Sequence, residues 1–433
     1  MTDSKNTILA IVLSAVVLIG WQYFFGLPQL KKQQEIAQQQ QQAQQAAPPQ
    51  QQQQQQQAPV SPRTGAGAPN APQATSPASP AQPMSRAAAL AQSPRVPIAT
   101  PSISGSIALK GGRIDDVSLN KYRETVDPKS PAIVLLSPSG TGDPFYAEFG
   151  WVGDGKVKVP DASTLWTQAG SGALSVNHPI VLTWDNGEGL TFTRTIAIDD
   201  KYLFTIRDSV ANKGAAPVTL HPYALVSRHG TPPTLGYYIL HEGLIGVLGD
   251  QGLQEITYKK IEDKKKLTFD VTNGWLGITD KYWAAALIPD TSAHLRAEFT
   301  AGQIGQTPTY QTDYLLDART VAPGSTTTAD ARLFAGAKEV AQVNAYEKEL
   351  KLNHFDLLID WGWFYFITKP MFFVIDWFYH LVGNFGIAIL IVTVLIKAAF
   401  FPLANGAKRS QAGQAAAGLS PRTIFLDSVT LAG

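Results

Sequence analysis

Leu190 to Ile198 reads LTFTRTIAI, and its alternation decides the fold class. Leu190, Phe192, Ile196 and Ile198 fall on one face of an extended strand and Thr191, Thr193 and Thr195 on the other, because successive strand side chains point to opposite sides. Asp185, Asn186 and Gly187 form the turn before this run. Asp199, Asp200 and Lys201 form the turn into a second apolar run, Tyr202 to Val210. Successive hairpins predict an antiparallel meander. The same rhythm of short apolar or alternating runs and turns extends outward from about Ile98 to Thr328, which predicts a β-rich sandwich or barrel. Ala335 to Leu352 turns charged and Ala-rich, with Val340, Val343, Leu350 and Leu352 spaced for a helix that closes a domain over residues 98–352.

On the N-terminal side the composition changes to glutamine runs, then alanine, proline and serine. Residues 29–97 are read as a disordered tether, without the large apolar residues of a core or the heptad spacing of a coiled coil. Before it, Ile8 to Phe25 (ILAIVLSAVVLIGWQYFF) is long enough, at ~1.5 Å rise per residue, to cross a hydrocarbon core of ~30 Å. A cleaved signal peptide is the competing reading. Trp21, Tyr23, Phe24 and Phe25 stand where cleavage would want small residues, so residues 1–28 are expected to be a membrane anchor.

On the C-terminal side residues 353–382 are crowded with aromatics, including Trp361, Trp363, Phe364, Tyr365, Phe366 and Trp377. Asp360, Lys369 and Asp376 interrupt them, and Pro370 is expected to break or kink a helix midway, so this segment is predicted to lie in the membrane interface. Residues 383–405, containing FGIAILIVTVLIKAAFFPL, are predicted to be a second span. Lys408, Arg409 and Arg422 follow it with a single acid, Asp427, while Asp360 and Asp376 precede it. The bias toward cytoplasmic basic residues then puts both termini in the cytoplasm and the β-domain outside.

The chain has 433 residues, 35 basic against 34 acidic, so no overall field draws it to nucleic acid. It has no cysteine, which removes disulfides, thiolate metal sites and thiol nucleophiles. Glu148, Asp208, His221, His229, His241 and Glu242 are the polar residues a catalytic reading would use. None has metal-site or triad spacing, and no catalytic residue, metal or cofactor is assigned. Gly111-Gly112-Arg113 lacks the strand and helix of a phosphate loop and reads as a β-turn. Lys397 is the candidate functional residue. A lysine at the bilayer centre costs ~2.5–3.5 kcal/mol and usually faces protein or water. Six residues before Leu403, it could also snorkel ~9 Å to the interface.

From Met1 to about Asn405 the chain resembles the YidC family of membrane protein insertases. The resemblance rests on Trp21-Gln22-Tyr23-Phe24 with Leu27-Pro28, Gly111-Gly112-Arg113-Ile114, His241-Glu242-Gly243, Gly274-Trp275-Leu276-Gly277 and Lys281-Tyr282-Trp283. It continues through Leu333 to Glu339, Asp360-Trp361-Gly362-Trp363, Lys369-Pro370, Gly383-Asn384-Phe385-Gly386 and Phe401-Pro402-Leu403. It implies a mainly β protein: an antiparallel β-supersandwich like that of galactose mutarotases, in the periplasm, flanked by two transmembrane α-helices and an interfacial helix anchored by Trp361, Trp363 and Trp377. It implies a non-enzymatic insertase and chaperone of the cell inner membrane, multi-pass, working alone or with the Sec translocon and its accessory subunits. Its partners would be nascent membrane proteins and the lipid bilayer, and Lys397 would take the basic position lining a hydrophilic groove. The tail, residues 406–433, departs from the family pattern and is read as a truncation after the second transmembrane helix. An anchored sugar-binding or mutarotase-like protein is the alternative.

Overall fold

In a computed structural model of the chain, residues 70–73, 83–234, 240–362 and 364–416 are described, the last with side chains to residue 402. The N-terminal anchor and most of the tether lie outside these residues. The chain divides into two units, Ala66–Lys369 and Met1–Gly65 with Pro370–Gly433.

The first unit is two antiparallel sheets. In the ten-stranded sheet the path runs Arg95–Ala99, Ile103–Ala108, Ile114–Arg123, Phe145–Gly153, Val218–His229, Thr307–Leu316, His294–Ile304, Lys266–Thr272. Ala132–Leu136 pairs beside the third of these and Arg319–Val321 beside the fifth. In the nine-stranded sheet the path runs Leu253–Thr257, Gly243–Leu248, Gly274–Thr279, Trp283–Pro289, Thr326–Ala337, Leu203–Asn212, Leu190–Ile198, Ile180–Asp185, Thr167–Ala169. Leu190–Ile198 alternates buried and half-buried without a slip, as its sequence dictates. Its hairpin partner is in register, with Leu190 opposite Asn212 and Ile198 opposite Phe204. The inward faces of both sheets meet in one core that holds Phe192, Phe204, Trp275, Phe299 and Phe334. A supersandwich of this size buries enough apolar surface to be a domain in its own right.

Three boundaries differ from the sequence reading. The stretch assigned to the tether contains helix α1 (Arg86–Leu90) and the start of the strand from Arg95. Composition hides α1 because its support is polar: Ser85 Oγ accepts from Ala88 N at 3.2 Å, and Arg86 pairs with Asp116. After α2 (Tyr258–Lys264), the closing helix α3 covers Val340–Leu350, because Ala335 to Ala337 still belong to a strand. Phe355–Leu358, counted with the aromatic interfacial segment, is a 3₁₀ turn in the β-domain. The fully buried Phe355 ring lies edge-on to Trp275 at 5.2 Å and Phe334 at 5.8 Å, which holds this turn in the core.

Helix α4 spans Tyr365–Val382 and α5 spans Phe385–Ala416, separated by Gly383 at φ +68°. Pro370 does not break α4 midway. It is the sixth residue, where its missing N–H forfeits one bond close to the helix start. Within α5, Phe385–Pro402 is long and apolar enough to cross a membrane, with a mean hydropathy of 2.3.

Candidate functional site

The segment leaving the β-domain is held by a set of polar bonds. Asp356 donates its backbone N–H to Glu347 Oε2 at 2.6 Å, and its Oδ2 accepts from Lys369 Nζ at 2.6 Å. Burial alone would raise the Asp356 carboxyl, but the Lys369 ammonium holds it below the usual carboxylate range. Trp361 donates its indole N–H to Asp356 O at 3.3 Å, and Lys369 Nζ stands 5.8 Å over the Trp361 ring. Asp360 accepts from His241 N and Gly362 N, both at 2.8 Å, and Gly362 has φ +71°, a conformation that suits a residue without Cβ. Residues 365–369, the start of α4, are thereby fixed to the β-domain. Beside them opens a cleft of about 1180 Å³ lined by His241, Glu255, Tyr258, Asp360, Trp361 and Tyr365, among others. The His241 ring is tied by Nε2 to Leu244 O at 3.0 Å, and Asp356 to Lys369, so neither is presented to a reacting group.

The sequence-predicted residues are not gathered there. Trp361 is half-buried at the cleft, whereas Trp377 is 62% exposed on α4 and Trp363 lies outside the described residues. Lys397 is exposed on α5, the sole ionisable residue between Phe385 and Pro402, and has no hydrogen bond or ion pair among the described residues. Along α4 the exposed side chains include Tyr365, Phe366, Phe373, Trp377 and Tyr379, and none of its residues is buried. A helix this apolar with no buried face requires a non-aqueous surrounding.

Of the polar residues considered for catalysis, His241 and Glu242 line the cleft and the other four lie elsewhere. His221 Nδ1 is 3.0 Å from Leu316 O, and His229 lies against Tyr146, with ring centroids 5.7 Å apart. Among the described residues no three His, Cys, Asp or Glu side chains could together hold a metal. Glu148 accepts from Arg113 Nε at 2.6 Å and Tyr223 Oη at 2.7 Å, and Asp208 takes both Arg194 Nε at 2.7 Å and Nη2 at 2.8 Å. Arg194 also donates to Gly112 O and Phe149 O. A Cβ on Gly112 would stand 2.9 Å from Arg194 Nη1, so this turn needs glycine for space as well as for φ +62°. Sequence reasoning missed the roles of Arg113, Arg194 and Tyr223; for Arg194 alone a signal was available, a charge on an otherwise apolar strand face.

A large antiparallel β-domain followed along the chain by an aromatic helix and a bilayer-length helix defines a membrane protein with a globular extramembrane domain. Residues 95–374 match the family model of the YidC periplasmic domain. The chain is 61% identical over 423 residues to the membrane protein insertase YidC of Bradyrhizobium diazoefficiens, covering 95% of this chain and 68% of that one. It is 59% identical to that of Nitrobacter hamburgensis, covering 95% and 66%, and 47% identical to that of Rhizobium meliloti, covering 94% and 66%. It thus spans about two thirds of the length of these relatives. The chain belongs to the YidC family of membrane protein insertases. Among solved structures it is similar to a galactose mutarotase related enzyme from Lactobacillus acidophilus, at 11% identity and TM-score 0.39, covering 56% of this chain and 97% of that one.

Proposed function

We propose that this chain serves the insertion and folding of integral inner-membrane proteins, as a multi-pass insertase and chaperone that acts alone or beside the Sec translocon. Its family membership carries the reading. Lys397 is the residue assigned to contact clients, and Trp361, Trp363 and Trp377 are assigned to anchor the aromatic segment at the interface. In support, Lys397 is an uncompensated charge in an apolar helix, a costly arrangement usually kept for function. A cation in a hydrated groove attracts acidic segments of a nascent chain and shortens the apolar path they cross.

The test joins this chain to the remaining third of the Bradyrhizobium relative and follows insertion of a client with an acidic translocated tail. Lys397→Ala is expected to lower insertion severalfold at unchanged protein level, and Lys397→Arg to retain it, because both cations serve in water-filled surroundings. Normal insertion with alanine would leave Lys397 as a lysine that merely reaches the lipid headgroups.

A further inference from the structure

The ten-stranded sheet carries a second, smaller apolar cluster separate from the inter-sheet core, made of Tyr146, Tyr223, Leu225 and Leu315. These residues alternate with core residues such as Ala147, Ala224 and Tyr314, and so lie on the face turned away from the other sheet. The fifth member of the cluster is Ala71, 7% exposed, which comes from the stretch read as tether. Its neighbours Asn70, Pro72 and Gln73 are exposed, so a single methyl group is inserted. The backbone is read as well: Gln311 Nε2 donates to Pro72 O at 3.1 Å, while the same amide nitrogen is fixed by Asp313 Oδ2 at 2.8 Å. Past Gln73 the surface continues as a cleft of about 230 Å³ lined by Arg113, Glu148, Trp151 and Tyr223, so the site is longer than its occupant. Arg113 is paired there with Glu148, and Asp161 accepts hydrogen bonds within its own turn from Ser163 and Thr164, which favours an uncharged guest.

We propose that this sheet face is a binding site for short, extended, uncharged Ala-Pro segments, filled here in cis by Asn70–Gln73. A residue before proline is biased to extended backbone, so such a segment loses little entropy on docking against aromatic rings. The tether offers the same pair at Ala47-Pro48, Ala58-Pro59, Ala68-Pro69 and Ala71-Pro72. Of these, Ala71-Pro72 is the pair seated on the sheet. Tethering supplies an effective concentration on the order of millimolar, which lets a weak contact stay occupied and shields it from competitors.

The test uses the full chain in nanodiscs and a fluorescent peptide with the sequence of residues 67–73, Gly-Ala-Pro-Asn-Ala-Pro-Gln. Ala71→Arg, too large and charged for the pocket, is expected to vacate the site and raise peptide affinity at least tenfold over the unmodified chain. Adding Gln311→Ala and Leu315→Ala to that variant should abolish the gain while a cooperative melt is retained. In this cysteine-free chain, Ala71→Cys should react with a maleimide at least tenfold more slowly than a cysteine at the fully exposed Val126, Val126→Cys, and excess peptide should speed it. Equal peptide binding by the unmodified chain and Ala71→Arg, or equal thiol reactivity at positions 126 and 71, overturns the proposal.

Discussion

Asp313 and His229, on neighbouring strands of the ten-stranded sheet, titrate in ways that oppose each other. Burial pushes the Asp313 carboxyl up from 3.8 to about 7, against the lowering hydrogen bond from Gln311. Burial pushes His229 down from 6.5 to about 4, with Arg113 adding to the effect. The folded chain therefore keeps a proton on Asp313 that the unfolded chain releases above its ordinary value, so this group's contribution to stability falls as pH rises from about 4 to about 7. His229 acts in the other direction, its contribution falling as pH drops from about 6.5 to about 4. Asp313→Asn should gain on the unmodified chain as pH rises through that window, by at most about 4 kcal/mol at 1.36 kcal/mol per pKa unit. Urea melts at pH 4.5, 6 and 8 that give parallel curves for the two proteins would sink this. Arg194 shows where residue-level reading ends. It stands on the inward face of LTFTRTIAI, 1% exposed, directly opposite Asp208 in the hairpin. The alternation of its neighbours was legible, but the charge was not, because its partners come from an adjacent strand and two carbonyls far along the chain. Removing one member of such a buried pair costs about 3–5 kcal/mol.

Among the elements, strands and spans announced themselves by periodicity and length, while junctions did not. Phe355 and Trp361 read like their aromatic neighbours in α4, yet packing on Trp275 and the polar bonds of Asp356 and Asp360 place both with the β-domain. Aromatic content alone cannot distinguish a ring that packs on protein from one that packs on lipid. For α4 itself, the exposed Phe373, Trp377 and Tyr379 lead us to expect a position at the headgroup level. A fluorophore on Trp377→Cys in nanodiscs should be quenched best by a spin label near the headgroup, and one on Leu390→Cys best by a label near the acyl-chain end. The same depth for both would remove the interfacial reading.

Taken whole, the chain is expected to place both termini in the cytoplasm and residues 29 to about 381 in the periplasm, on the strength of its two predicted spans and the basic residues beyond Phe385–Pro402. A reporter inserted after Gly150 should work only if it is of the kind active outside the cytoplasm; activity of a cytoplasm-only reporter there would reverse the topology. The antiparallel β plan was legible because strands such as Leu190–Ile198 carry their own alternation, whereas Gly243–Leu248 and Gly274–Thr279 are buried along their whole length; the order of strands was not, since pairing is settled between distant segments. The Leu203–Asn212 strand is bordered on one side by its hairpin partner and on the other by Thr326–Ala337. Delivered from the N-terminus at ~5–20 residues per second, the 114 residues from Asn212 to Thr326 take on the order of 6–20 s to follow. For that interval an interior strand of the nine-stranded sheet has an open edge, ready to pair with whatever extended chain is near. The domain thus has a timetable as well as a shape, and its most exposed moment comes just before its own membrane helix arrives.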